Sequence, residues 1–252
     1  MNKLPSISII TVVHNRRKEI EITFQNVLVQ EYPFIEYIVI DGGSTDGTKE
    51  YLLQHVKQIS HFVSEPDKGI YDAMNKGLNK ANSDYVLFLN AGDVLATNTV
   101  LKEIFQDVKT LPDAVYGDTI FCDENLNPLG LMSELSTRNM RTVNTWKDMR
   151  LGMVFSHQSF LVKRNLAPLY NTSYKYSADI DWIIRCLKAC SNIYHFPKAI
   201  ACFQLGGFSS VNKRASLIDR YHILRAHFGF FPNVLNHLRI FLRMVFSPGK
   251  MK

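Results

Sequence analysis

The chain has 252 residues, 46% hydrophobic and 21% charged, which supplies one sizeable α/β core and excludes global disorder. The net charge of +6 belongs to the tail: from Asn212 onward there are 8 basic residues and one acid, against 21 basic and 22 acidic residues elsewhere. The main domain therefore offers no footprint for nucleic acid, and four cysteines with no C-x-x-C pair speak against a zinc site or disulfide framework and fit a reducing cytoplasm.

No secretory pattern opens the chain, and no apolar run reaches about 18 residues, so neither a leader nor a membrane-spanning helix is expected. Residues 6–13 (SISIITVV) read as a strand, and 17–30 carry apolar side chains at helical spacing. A second strand is expected at 35–40. After the turn cluster DGGSTDG comes a helix at 48–56, then a weaker strand at 59–64. Residues 69–81 read helical, 85–89 (YVLFL) as a buried strand, 98–109 as a helix and 114–122 as a strand. Such alternation predicts an α/β fold, a mostly parallel sheet with helices on both faces.

Beyond Asn125 the pattern loosens. Residues 125–150 read as a polar loop region, 153–162 (MVFSHQSFLV) as a strand, 179–189 as a helix and 192–205 as one or two strands. In the tail, residues 233–246 place Val234, Leu238, Phe241, Leu242 and Val245 on one helical face and Asn236, Arg239 and Arg243 on the other. A basic amphipathic helix of this kind either lies on an anionic membrane or packs on the domain with its arginines solvated.

Ligands of such sheets bind beyond the carboxyl ends of the strands. Polar groups stand there after all four early strands: His14-Asn15, Asp41, Glu65-Pro66-Asp67 and Asn90 to Asp93. Asp93 suits either a hard divalent ion or the cap of the following helix. Asp41 suits a nucleobase or ribose, or equally a turn that bonds its own backbone. In EPDKGIYDAMNKG, Asp72 shares a helix face with Asn75 and Lys76 and also complements the helix dipole. His157-Gln158 reads as a polar pair at the site or as a satisfied core histidine with its neighbour.

Taken together, TVVHN, IDGGSTDGT, EPDKGIYDAMNKG and DYVLFLNAGD, in this order, resemble the inverting glycosyltransferases of family 2. The closest likeness is to bacterial exopolysaccharide, capsule or colanic-acid-type enzymes. The resemblance covers residues 6–96 most strongly and implies the GT-A fold, with C-terminal helices added here. It implies that Thr11 and Asn15 approach the nucleotide, that Asp41 holds the base, and that Asp67, Lys68 and Asp72 line the nucleotide-sugar pocket. Asp93 matches the last acid of the family's Asp-X-Asp motif, contacting Mn²⁺ or Mg²⁺ and the diphosphate. Ala91 replaces the first acid, so Asn90 is expected to assist as a neutral ligand. YSADIDW resembles the second acidic motif, with Ala178 in place of its Glu. Asp179 is then the expected general base and Asp181 the runner-up, about 200° away on a helix.

The expected function is an inverting, metal-dependent transfer of a sugar from a nucleotide-diphosphate donor to a glycan hydroxyl, with a lipid-linked acceptor in view. It would serve cell-surface polysaccharide synthesis in the cytoplasm, with peripheral contact at the inner membrane face through the tail. Residues 1–211 would form the transferase domain (nucleotide part about 1–124, acceptor part about 125–211) and 212–252 a basic helical extension. The missing acids at Ala91 and Ala178 leave a second reading open, a catalytically inactive nucleotide-sugar sensor on the same fold.

Overall fold

The computed structural model describes residues 4–106, 108–135, 143–206 and 212–246. One nine-stranded sheet forms the centre. Its strands are β1 (Ile7–Val13), β2 (Ile35–Asp41), β3 (His61–Ser64), β4 (Tyr85–Phe88), β5 (Val94–Leu95), β6 (Ala114–Cys122), β7 (Pro128–Leu131), β8 (Phe160–Lys163) and β9 (Ile193–Gln204). They run in the order β3-β2-β1-β4-β8-β6-β9-β5, with β7 beside β6. The first four strands pair in parallel. β8 enters antiparallel between β4 and β6, which returns β6 and its parallel neighbour β9 to the first direction. Among the described strands β5, β7 and β8 run the other way, so the sheet is mostly parallel.

Strand pleating divides the apolar residues between two layers. Ile10 and Val12 of β1, Ile38 and Ile40 of β2, and Val86 and Phe88 of β4 pack against α3 (Ile70–Lys80) and α6 (Ala178–Ala189). Their neighbours Ile9, Tyr37, Val39, Tyr85 and Leu87 pack with α1 (Arg17–Leu28), α2 (Thr48–Gln54) and α4 (Val100–Gln106). Both faces are therefore covered, which is why β1, β2 and β4 read as near-continuous apolar runs.

Later elements depart from the expected ones. The strand expected at 153–162 begins only at Phe160, because residues His157–Ser159 form a 3-10 turn. The expected loop at 125–150 contains β7 and the short helix α5 (Met132–Leu135); its residues 136–142 lie outside the described ones. The tail contains α7 (Lys213–Phe228) and α8 (Phe230–Phe246), so its helical part starts well before residue 233. Among the described residues no helix is long and apolar enough to cross a membrane.

Candidate active site

A cleft of about 670 Å³ opens beyond the carboxyl ends of β1 and β4. Val12, Val13 and His14 line it from β1, Asn90, Ala91 and Asp93 from β4, and Asp67, Gly69 and Tyr71 from the start of α3. His157, Gln158, Tyr176, Asp179, Gln204 and Asn212 close it from the later half of the chain. Parallel pairing of β1 with β4 puts these early loops on one edge, as the strand-end reading expects.

Asp93 is held where β5 meets β9. The antiparallel pair Val94–Cys202 brings the Gln204 amide to Asp93 Oδ1 at 3.2 Å. Gln158 Nε2 donates to Asp93 Oδ2 at 2.9 Å, and Ser156 Oγ in turn donates to Gln158 Oε1. Despite these donors, burial pushes the Asp93 carboxyl up to about 6. Next to it, Asn90 Oδ1 is buried without a hydrogen-bond partner. Among the described residues no group of three or more His, Cys, Asp or Glu could hold a metal alone. The spare lone pairs of Asp93 and the orphaned Asn90 oxygen nonetheless suit a hard divalent ion that takes its other ligands from phosphate and water.

Asp179 faces the cleft from the first turn of α6. Trp182, fully buried, stacks on Tyr170 at 4.9 Å, and Tyr170 stacks on Tyr71 at 5.4 Å. This aromatic ladder fixes α6 against α3, helped by Asn75, whose Oδ1 accepts from Tyr170 N at 2.6 Å. Tyr71 Oη donates to Asp179 Oδ1 at 3.4 Å. Burial, then the Asp179 charge, raises the Tyr71 phenol well above its ordinary value, so it keeps its proton. His157 Nδ1 lies 3.5 Å from Asp179 Oδ2, and its Nε2 lies 3.3 Å from Asn90 Nδ2. With the amide donating to Nε2, the imidazole proton sits on Nδ1 and faces Asp179.

The structure places several expected site residues elsewhere. Asp181 is turned away from the cleft, bonded to Arg185 Nε at 2.7 Å and His227 Nε2 at 2.8 Å. Burial alone would raise its carboxyl, but the His227 hydrogen bond and the Arg185 charge outweigh that and hold it low. Asp41 is fully buried, its oxygens taken by Ser44 N at 3.2 Å and by the hydroxyls of Ser44 and Ser64. Thr11 lies within the sheet and donates to the Leu89 carbonyl at 2.7 Å. Asn15 ties the first loop to the second, accepting from Thr45 N at 2.8 Å. Lys68 and Asp72 bond each other through Lys68 N at 3.0 Å and do not line the cleft.

A further cleft-facing acid is Asp67. Its Oδ2 occupies the space over Gly42 where a Cβ would overlap it, and its Oδ1 accepts from Gly69 N at 2.8 Å. His14 Nδ1 lies 3.1 Å from the Gly42 carbonyl beside it. The cleft residues Arg16, Tyr71 and Gln204 had no role assigned from the sequence. His14, which the sequence marks only by its place after β1, lines the cleft as well. Gly206, at the end of the described stretch 143–206, also lines the cleft.

The profile of Glycosyl transferase family 2 matches residues 8–167. An uncharacterized glycosyltransferase of Haemophilus influenzae is 28% identical over 225 residues, 87% of this chain and 88% of that protein. A Bacillus subtilis protein named as a teichuronic acid biosynthesis glycosyltransferase, TuaG, is 37% identical over 106 residues, 41% of this chain and 42% of its own. Among solved structures, Staphylococcus aureus TarS residues 1–349 with UDP-GlcNAc superimposes with a TM-score of 0.65 at 16% identity, over 92% of this chain and 66% of that one. The mannosyltransferase PcManGT of Pyrobaculum calidifontis with GDP-Man and Mn²⁺ gives 0.62 at 16% identity, over 98% and 82%. These structural likenesses are likenesses of fold, and the chain spans under two thirds of a second TarS 1–349 structure, 65% of it.

Proposed function

Because the chain belongs to glycosyl transferase family 2 and has the GT-A fold, we propose that it is an inverting transferase. It moves a sugar from a nucleotide-diphosphate donor to a glycan hydroxyl in the synthesis of a bacterial cell-surface polysaccharide. One observation carries the reading: the adjacent residues His157 and Gln158 reach two of the cleft acids, His157 toward Asp179 and Gln158 onto Asp93. A single short turn thus sets the distance between the base and the group that meets the diphosphate. Donor and acceptor are held together between them.

Asp179 takes the proton from the attacking hydroxyl. Tyr71 and His157 orient its two oxygens, leaving their outer lone pairs to the acceptor. Asp67 and His14 receive the nucleobase end of the donor, in place of the buried Asp41. Asn90 and Asp93 would hold Mn²⁺ or Mg²⁺, the ion that accompanies GDP-Man in PcManGT being Mn²⁺. Such an ion, when bound, neutralises charge on the leaving diphosphate.

The test is to screen UDP, GDP, dTDP and CMP sugars with Mn²⁺, following nucleotide release and the anomeric proton of the product by NMR. Asp179→Asn is expected to lower kcat by about 10²- to 10⁴-fold while nucleotide affinity persists. Full turnover by that variant, or retention of the donor's anomeric configuration, overturns the mechanism. Tight nucleotide binding without turnover of any donor would favour the sensor reading.

A further inference from the structure

The C-terminal hairpin packs Ile223 and Leu224 of α7 into the core but leaves other apolar side chains facing solvent. Among the described side chains of α8 the buried ones are Asn233 and Asn236, 0% and 4% exposed. Asn233 Nδ2 donates to the Tyr221 carbonyl of α7 at 3.2 Å, and the His237 ring meets Tyr221 edge-on at 5.2 Å. With the amides facing inward, helical periodicity sends Phe231, Val234, Leu235 and Leu238 outward, 44 to 77% exposed. Leu217 and Ile218 of α7 are exposed as well, 61% and 58%. A helix that packs on its own domain does the reverse. The alternative in which the apolar face of this helix covers the domain is therefore not what these residues do.

Two occupants suit an apolar face of this kind, a second copy or a lipid surface. Charge decides between them. The segment from Asn212 carries 8 basic residues and one acid, and Arg214, Arg225 and Arg239 are exposed on the same two helices. Arg225 lies over the Phe230 ring at 5.3 Å, at the turn of the hairpin. Two such surfaces would repel each other, whereas a bilayer with anionic headgroups supplies hydrocarbon and negative charge together. We propose that the α7–α8 hairpin seats the protein on an anionic lipid bilayer, with α8 in the interfacial plane.

The seat is wired to the cleft. Tyr176 N donates to Asp219 of α7 at 2.8 Å, Ser177 Oγ meets Ser216 Oγ at 2.8 Å, and His227 holds Asp181. These are the residues around Asp179, so docking the hairpin fixes how the base faces the bilayer. On the transferase reading, this deepens it: the acceptor glycan is presented from the membrane.

Co-sedimentation of the full chain with phosphatidylcholine vesicles, with and without phosphatidylglycerol, tests the proposal. Binding is expected on the anionic vesicles, at least tenfold weaker on neutral ones and weakened by salt. Leu235→Ser/Leu238→Ser should lose at least tenfold at unchanged melting temperature, and Arg225→Glu/Arg239→Glu should lose binding to the anionic vesicles selectively. No binding to anionic vesicles, or equal binding by the leucine variant, overturns it. So does a stable dimer by light scattering that the leucine variant dissociates, which would assign the face to a second copy. None of these readouts uses turnover, so failure of the transferase reading is told apart from failure here.

Discussion

Both oxygens of Asp93 accept hydrogen bonds, yet burial still pushes its carboxyl up to about 6. The folded state therefore prefers the protonated acid. That contribution to stability is complete below the ordinary value of about 4 and is lost as pH rises through the raised one. Between pH 5 and 7 this group withdraws about 1 kcal/mol, a dependence that Asp93→Asn removes. Urea unfolding in chelator should show the variant gaining on the native protein over that range while its turnover falls; a gap that stays constant with pH refutes it. Asp41 and Asp67 look alike in the sequence, both acids beyond a strand. What separates them is the register that sets Asp41 against Ser64, a pairing 23 residues away whose hydroxyl absorbs the carboxylate. Gly42→Ala should displace Asp67 and weaken nucleotide binding about tenfold, or ~1.4 kcal/mol. Isothermal titration with the nucleotide checks this, and unchanged affinity would remove Asp67 from the nucleobase end.

Within α6 the helical angle alone says that Asp179 and Asp181 cannot both face the cleft. It does not say which one does. The answer comes from His227, 46 residues on in α7, which draws Asp181 to the other side. Asp181→Asn is accordingly a stability variant. With Arg185 partly solvated, the loss should be roughly 2 kcal/mol, below the range for a fully buried pair. Its melting temperature should drop while kcat of the folded protein holds, the opposite of Asp179→Asn, and a large kcat loss at unchanged stability would reverse the assignment. The 3-10 turn His157–Ser159 escaped the sequence pattern for a related reason. VFSHQSFLV has strand-forming residues at both ends, but Ser156 and Gln158 bond each other locally and turn the Gln158 amide toward Asp93.

The parallel half of the sheet could be read from alternation because each crossover is local and buries a continuous apolar strand. The insertion of β8 beside β4 could not, since Val86 meets Val162 with no signal near either. The same long-range closure sets Arg220 of α7 against the segment of Leu151 and Gly152. Its Nη2 donates to the Leu151 carbonyl at 3.0 Å, its guanidinium lies across Gly152, where a Cβ would overlap it, and its Nε is buried without a partner. Burial pushes this guanidinium down to about 10, with the Asp179 charge opposing the shift, so it stays a cation at neutral pH. An incompletely paired buried charge weakens the fold, and it persists here within electrostatic reach of Asp179, the proposed base. Arg220→Met should therefore melt no lower than the native protein, while kcat falls about tenfold, ~1.4 kcal/mol of barrier, with nucleotide affinity unchanged. Calorimetry paired with initial rates separates the two effects. A variant that melts far lower yet turns over normally would make Arg220 a strut of the hairpin alone, with no part in holding Asp179 for its proton.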